Sequence, residues 1–441
     1  MTSSYPASIS QRLLWQAAHR SAAGATASLR CYRIRDLDSA SLQRALDELR
    51  ARHEALRTRL TGRGPRLEQE VADPGPLPVE WLTCEAADLG ADGLLTEGIP
   101  APAPGREVVV RVWRAPEDSL LMLNIDHLLT DAWSARVLAG ELTHLYAAYR
   151  SGREPDLPAP GWQYRQFAEW QIERLSGDVL ERLQSAWLTR VAGAESARLP
   201  SPAERVKRAE RTAAIRRIPA STELSAAFRG LCAAGGTTIA GAALAVFFLQ
   251  LRMIAAQDDL CVGSLFANRT HGRVWRTIGL FGHLLPLRLT ADDDCTVETV
   301  LRQAHQAMAH ALAHQELPMS LLPVGALDRA AAIGVHNVVF HVLPPAAEDK
   351  RPDSADSVSP RQAYSLGAGG ARFDLELALI PYPSAVRGYV RYATDRFTAE
   401  WVDDFCVLFA ELAEAAAADP GQSLRQLAGR CGEKRAALAR R

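Results

Sequence analysis

The chain is poor in lysine, has no closely spaced cysteines and carries no long apolar run. Of its 50 basic residues only Lys207, Lys350 and Lys434 are lysines. With the many alanines, this arginine bias reads as coding composition rather than chemical demand. There is no surplus of basic charge either: 50 Lys and Arg stand against 51 Asp and Glu, a net charge of −1. A general nucleic-acid binder needs that surplus to displace counterions from phosphates, so this class is excluded. The seven cysteines, at 31, 84, 232, 261, 295, 406 and 431, are odd in number and scattered. Without a Cys-x-x-Cys pair there is no zinc or redox spacing, and unpaired thiols in a reducing compartment are expected. Residues 1–20 lack the apolar core of a signal peptide. The longest apolar run, 239–249, ends at Gln250 and Arg252, short of the about 20 residues that span a bilayer. A cytoplasmic, monomeric protein away from membranes is the expectation.

What is present is enough for sizeable cores. The 441 residues are 48% apolar, which excludes disorder as the main state and predicts two to three domains at roughly 100–200 residues each. Helices are predicted after Ser10 (Leu13, Leu14, Trp15), from Ser39 through Leu42, Leu46 and Leu49 into Arg52-His53, over 164–173, 179–191, 239–254 and 297–313, and over 397–417. Strands are predicted over 108–113, 120–125, 213–218, 260–266, 284–289, 335–343, 372–380 and 388–393. The polar stretch 346–361, with Pro352 and Pro360, reads as a surface loop. Strands mixed with helices in no strict βαβ rhythm favour a mixed α/β sandwich over a doubly wound sheet.

The most informative residues are His127 and Asp131, at the junction of the strand 120–125 and a helix marked by Val137, Leu138, Leu142 and Leu145. A histidine at a strand end can face a cleft and titrates near neutral pH. It can take a proton from an attacking amine or hydroxyl, or position that nucleophile. Asp131, one helical turn on, can support the junction by pairing with an arginine. No third metal ligand stands at a recognisable spacing.

Asp126-His127-Leu-Leu-Thr-Asp131-Ala132-Trp133-Ser134 resembles the His-His-x-x-x-Asp-Gly-Trp-Ser motif of the condensation domains of nonribosomal peptide synthetases. Further motifs follow in that family's order. Ser10-Gln11-Arg12-Leu13-Leu14-Trp15 is similar to its opening motif, and Arg52-His53-Glu54-Ala55-Leu56-Arg57-Thr58 to its Arg-His-Glu-x-Leu-Arg-Thr. Tyr164 to Trp170, Ile278 to Arg288, His314 to Pro318 and Phe373-Asp374-Leu375 resemble four more. Each match is modest; the ordered set covers nearly the whole chain.

The resemblance implies two chloramphenicol-acetyltransferase-like αβ-sandwich lobes in a V with a tunnel between them, 1–175 carrying the motif and 176–441 following. A floor loop near 264–283 and a latch near 373–383 would join the lobes. It implies His127 as the catalytic residue, with Asp126, Asp131, Arg57 and Trp133 in support and Asp131 paired to Arg57. Ser264, His283, His336 and Asn337 would line the tunnel or touch substrate; a buried, hydrogen-bonded strand residue is the alternative for His336 and Asn337. The departures are Asp126 for the first motif histidine, Ala132 for the glycine and His283 for an asparagine. Asp126 would hold the His127 loop or act on the imidazole through its charge.

The implied reaction joins an acyl or aminoacyl thioester to an amine or hydroxyl acceptor, as an amide or ester. No cofactor or metal is expected on this chain; the donor would arrive on the 4′-phosphopantetheine of a carrier protein. A carrier and an adenylation domain do not fit beside two lobes in 441 residues, so the expected carrier acts in trans on a free-standing enzyme of natural-product biosynthesis. The basic run Arg205, Lys207, Arg208, Arg211, Arg216 and Arg217 is either a carrier-docking site or a solvated face. An acyl-CoA-dependent acyltransferase, or a degenerate domain that recruits a partner, are the alternatives.

Overall fold

A computed structural model describes residues 3–20, 27–85, 108–116, 118–194, 197–200, 212–323, 337–343, 358–361, 371–430 and 438. The chain divides into two compact units, each mixed α/β. The first comprises Met1–Ser176, Ala267–Gly282 and Asp349–Gly369; the second comprises Gly177–Phe266, His283–Glu348 and Gly370–Arg441. The units are therefore not consecutive, in contrast to the division at 175/176. The segment 267–282, expected with the second part, packs with the first.

The first unit is built on a five-stranded sheet, in the order β12 (Val358–Arg361), β2 (Ala27–Arg35), β7 (Asp118–Asp126), β6 (Val108–Arg114) and β5 (Val79–Thr83). Strand β7 is apolar on both faces. Leu121, Leu123 and Ile125 join Tyr32, Ile34, Val110 and Val112 in a core closed by α2 (Ser39–Arg52) and α3 (Ala132–Arg150). Leu120 and Met122 meet Cys31 and Trp113 on the other face. A strand buried on both sides reads as a continuous apolar run, which is why it is visible in sequence. A smaller sheet sets β1 (Ser3–Pro6) and β3 (Thr58–Thr61) on either side of β4 (Glu68–Val71).

The cap of the first helix differs from expectation, whereas the second helix starts at Ser39 as expected. In α1 (Ile9–Arg20) the cap is Ser8, not Ser10: the Ser8 N–H donates to Gln11 Oε1 and the Gln11 N–H to Ser8 Oγ, a reciprocal capping pair. In α2 the cap is Asp38, whose carboxylate accepts from Ala40 and Ser41 N–H. The helix does not run on into the Arg-His-Glu motif. It stops at Arg52, and Glu54–Arg57 forms a 3₁₀ turn leading into β3.

That stop places a charged cluster in the core. Glu141 of α3 accepts from Arg52 Nε at 3.1 Å and sits 2.9 Å from His53 Nε2, with His53 and Glu141 almost fully buried. Burial raises the Glu141 carboxyl, but the bonds from His53 and Arg52 outweigh it, so its pKa falls below the ordinary 4.5. A depressed acid stabilises the fold above its unfolded pKa and loses that contribution as pH falls through the folded value. Glu141→Gln, which removes the carboxylate from Arg52 and leaves its guanidinium the Leu157 and Pro158 carbonyls, is expected to lower unfolding free energy by about 3 kcal/mol at pH 7. The gap to the unmodified chain should narrow below about pH 4.5. Urea unfolding at pH 7 and pH 4 measures both; an equal gap at the two pH values contradicts the assignment.

The second unit has a six-stranded sheet, in the order β10 (His283–Thr290), β9 (Asp259–Phe266), β11 (Val338–Val342), β13 (Leu375–Pro381), β14 (Val386–Ala393) and β8 (Ala213–Arg217). Strand β11 runs parallel to both β9 and β13; the other pairings are antiparallel. Phe340 of β11 stacks on Phe247 of α7 (Ile239–Ala255), which marks the face of the sheet covered by helices. That helix is buried from Gly241 to Ile254, so its apolar run is core. Among the described residues no single helix is long and apolar enough to cross a membrane, and α6 (Thr222–Gly235) meets α7 at a 100° bend.

The expected latch at 373–383 is corrected. Leu375–Pro381 is a central strand of the second unit, between β11 and β14. The excursion to the first unit is made instead by β12, which pairs antiparallel with β2 in the register Val358 to Ile34. It falls within the stretch expected to be a loop.

Candidate active site

Strand β7 ends at Asp126, and a 3₁₀ turn of His127–Leu129 follows. Asp126 caps that turn, its Oδ1 accepting from the Leu128 N–H at 2.9 Å. The residue that replaces the family's first histidine therefore fixes the loop that carries His127. The His127 ring is half-buried, with Nδ1 2.6 Å from the Thr130 carbonyl oxygen. A carbonyl can only accept, so Nδ1 carries the proton, and in the neutral ring Nε2 holds the lone pair.

Asp131 is the N-cap of α3 and holds the site together. Its Oδ1 accepts from the Ser134 N–H at 2.7 Å, and its Oδ2 from the Phe281 and Gly282 N–H groups at 3.1 and 3.3 Å. The expected Asp131–Arg57 pair is not formed. Arg57 donates to the Ala72 carbonyl, and the guanidinium at Asp131 is that of Arg269, 3.3 Å away, with both side chains buried. Arg269 also donates to the carbonyls of Val274 and Thr277 and to Ser134 Oγ, and lies 4.0 Å over the Phe281 ring. Burial pulls its pKa down while Asp131 opposes that shift. One bond joins the two groups; three backbone N–H groups complete the carboxylate, and two carbonyls and Ser134 take most of the guanidinium's other donors, the condition under which a buried ion pair is tolerated.

A second clamp holds the same segment. The buried Tyr164 hydroxyl donates to the Leu280 carbonyl and receives a bond from Ser8 Oγ at 2.8 Å. Burial raises its pKa, so it stays a phenol. Ser134 Oγ donates to the Gly279 carbonyl and accepts from its N–H. Gly279 is required sterically: a Cβ there would lie 1.8 Å from the Tyr164 ring. Trp133 is part-exposed and donates from Nε1 to the Trp275 carbonyl at 2.9 Å.

The structure thus brings together His127, Asp126, Asp131 and Trp133 within the first unit and leaves Arg57 out of that network. Sequence reading missed Arg269. The available signal was Asn268-Arg269 directly after the apolar strand, followed by Val274, Ile278, Leu280 and Phe281, which have to pack.

In the second unit, Val339 pairs with Gly263, so their neighbours Phe340 and Ser264 share the helix-covered face. Ser264 is buried there opposite Leu285, and His283 pairs with Phe266 on the same side. Both lie on the helix-covered side of the sheet, Ser264 buried and His283 half-buried. Burial pushes the His283 pKa down to about 4, with the Gln315 backbone opposing, so the ring is neutral at neutral pH. The Asn337 carbonyl accepts from the Asp374 and Leu375 N–H groups, and Asn337 borders a cavity of about 160 Å³ with Arg198, Asp374 and Arg396. Asn337 is half-buried and sits just before β11, outside the strand itself. His336 and residues 205–211 of the basic run lie outside the described residues. Among the described residues no three metal-ligating side chains converge.

A family profile described as "Condensation domain" matches residues 103–438. The chain belongs to the condensation-domain family. Phosphinothricin tripeptide synthetase PhsC of Streptomyces viridochromogenes is 30% identical over 96% of this chain and 40% of its own length. Surfactin synthase subunit 2 of Bacillus subtilis is 28% identical over 89% of this chain and 11% of its own length. The chain thus spans well under half of these curated relatives. Among solved structures, SgcC5 of Streptomyces globisporus is similar with a TM-score of 0.74, at 24% identity, covering 91% of this chain and 94% of that one. The X-domain from teicoplanin biosynthesis, solved in complex with OxyB, gives 0.80 at 22% over 96% and 95%. The starter condensation domain of rhizomide synthetase, solved with C8-CoA, gives 0.76 at 20% over 96% and 97%. At these identities the structural likeness shows the fold, and that fold is the condensation-domain fold.

Proposed function

We propose that this chain transfers an acyl or aminoacyl group from a thioester on a carrier protein's phosphopantetheine to an amine or hydroxyl acceptor, in natural-product biosynthesis. The supporting observation is His127, whose Nδ1–H is held by the Thr130 carbonyl so that Nε2 is the basic nitrogen. As the acceptor attacks, its N–H or O–H proton passes to Nε2 while the C–N or C–O bond forms. The C–S bond then breaks, and the imidazolium returns its proton to the departing thiolate. A thioester is an activated donor, so most of the remaining work is holding donor and acceptor in line. Asp126 and Asp131 are positioning residues in this reading. They fix the turn and the helix start on either side of His127.

Octanoyl groups on a phosphopantetheinylated carrier domain and on CoA, each offered with an amine or an alcohol, test the proposal. Mass spectrometry is expected to find amide or ester from the carrier donor. Product from octanoyl-CoA alone would move the reading to an acyl-CoA acyltransferase. No product from either donor would contradict transfer chemistry and leave a recruiting role.

A further inference from the structure

Among the described residues only four large apolar side chains are markedly exposed, and two of them adjoin: Trp133 at 37% and Trp275 at 59%. Single exposed apolar residues are ordinary; two adjacent tryptophans held rigid are not. Trp133 Nε1 donates to the Trp275 carbonyl at 2.9 Å, and Trp275 Nε1 to the Arg269 carbonyl at 3.2 Å. Both indole N–H groups are satisfied inward, so what remains outward is ring surface in a fixed orientation. Ordering it on binding costs little further entropy.

The two chain segments that carry these rings bear basic charge only. Residues 132–140 and 267–282 contain no Asp or Glu. Arg136, 5.7 Å over the Trp133 ring, is exposed, as are Arg273 and Arg276 on either side of Val274-Trp275. An apolar aromatic centre with an arginine rim is the composition of a protein-binding hot spot. The buried guanidinium beside the rings, Arg269, is already bonded to Asp131, Ser134 and two carbonyls, so the exposed arginines supply the charge.

We propose that Trp133, Trp275, Arg136, Arg273 and Arg276 form the docking surface for an acidic carrier protein. This rests on the acyl-transfer reading for the partner's identity. The surface begins six residues beyond His127 and lies in the same unit, so docking there requires the carrier's thioester arm to reach from it to the turn that bears the histidine.

Calorimetric titration with an octanoyl-loaded carrier domain of net negative charge tests this without turnover. Arg273→Glu combined with Arg276→Glu, and separately Trp275→Ala, are expected to weaken binding at least about 10-fold. Arg273→Lys with Arg276→Lys should retain most of it. The affinity of the unmodified chain should fall with salt. Thermal melts of each variant separate lost docking from lost folding. His127→Ala should bind the carrier as the unmodified chain does, so loss of catalysis and loss of docking are told apart. Carrier affinity unchanged in the charge-reversed and Trp275 variants overturns the proposal, as does no detectable binding by the unmodified chain. Variants that weaken octanoyl-CoA but not the carrier also overturn it, in favour of a nucleotide platform.

Discussion

His127→Ala is expected to lower kcat by about 10²–10⁴-fold with little change in KM for the thioester donor. That is the range a positioned acid–base group supplies. A group that acts on the proton in flight changes the transition state more than the ground state, so the loss falls on kcat. His127→Gln keeps hydrogen-bonding capacity but no titratable nitrogen, and should be as slow as the alanine variant. For the unmodified chain, kcat/KM should rise with pH through the imidazole range and level off. Both variants should lack that limb. Steady-state rates from pH 5 to pH 9 supply these quantities, and an imidazole limb retained in His127→Ala would assign the titration to another group.

Asp131→Ala is expected to destabilise the protein by roughly 3–5 kcal/mol, the usual cost of leaving one member of a buried ion pair alone. The change removes the cap of α3, worth about 1 kcal/mol, and leaves the Arg269 guanidinium buried without its carboxylate. It also strips the acceptor from the Phe281 and Gly282 N–H groups. Asp131→Asn keeps a capping oxygen and should fall between. Arg269→Ala should be comparably damaging. The two should not add, because they remove one network, and a double-mutant cycle reads the coupling directly. Arg57→Ala serves as the contrast: its coupling to Asp131 should be near zero. Strong Asp131–Arg57 coupling in denaturant unfolding would reinstate the pairing the structure replaces.

The parts of the fold visible in sequence are those governed by local pattern. Strand β7 shows because both faces are apolar, and α3 because Leu138, Leu142 and Leu145 fall on one side. The junction between them is where His127 was expected and where it stands. Arg57 and Arg269 differ in what sequence can carry. Both are arginines near a motif, but only the path of 267–282 back to the first unit decides which reaches Asp131. A choice between partners 74 and 138 residues away has no local signature. Strand β12 was hidden for a related reason. Its pairing with β2 uses backbone groups, which a polar, proline-containing stretch possesses as much as any other. Ser264 and His283 illustrate the period-2 problem: a single residue of register separates one face of the sheet from the other, and cross-strand pairing settles it.

The central claim is that His127 presents a basic Nε2 because the Thr130 carbonyl holds the proton on Nδ1. Nitrogen-15 NMR of histidine-labelled protein, with His127→Gln used to assign the signal, reads this at neutral pH. The prediction is a neutral His127 ring protonated at Nδ1, with Nε2 showing the shift of an unprotonated nitrogen. A neutral ring protonated at Nε2 would leave no lone pair at that nitrogen and would contradict the account.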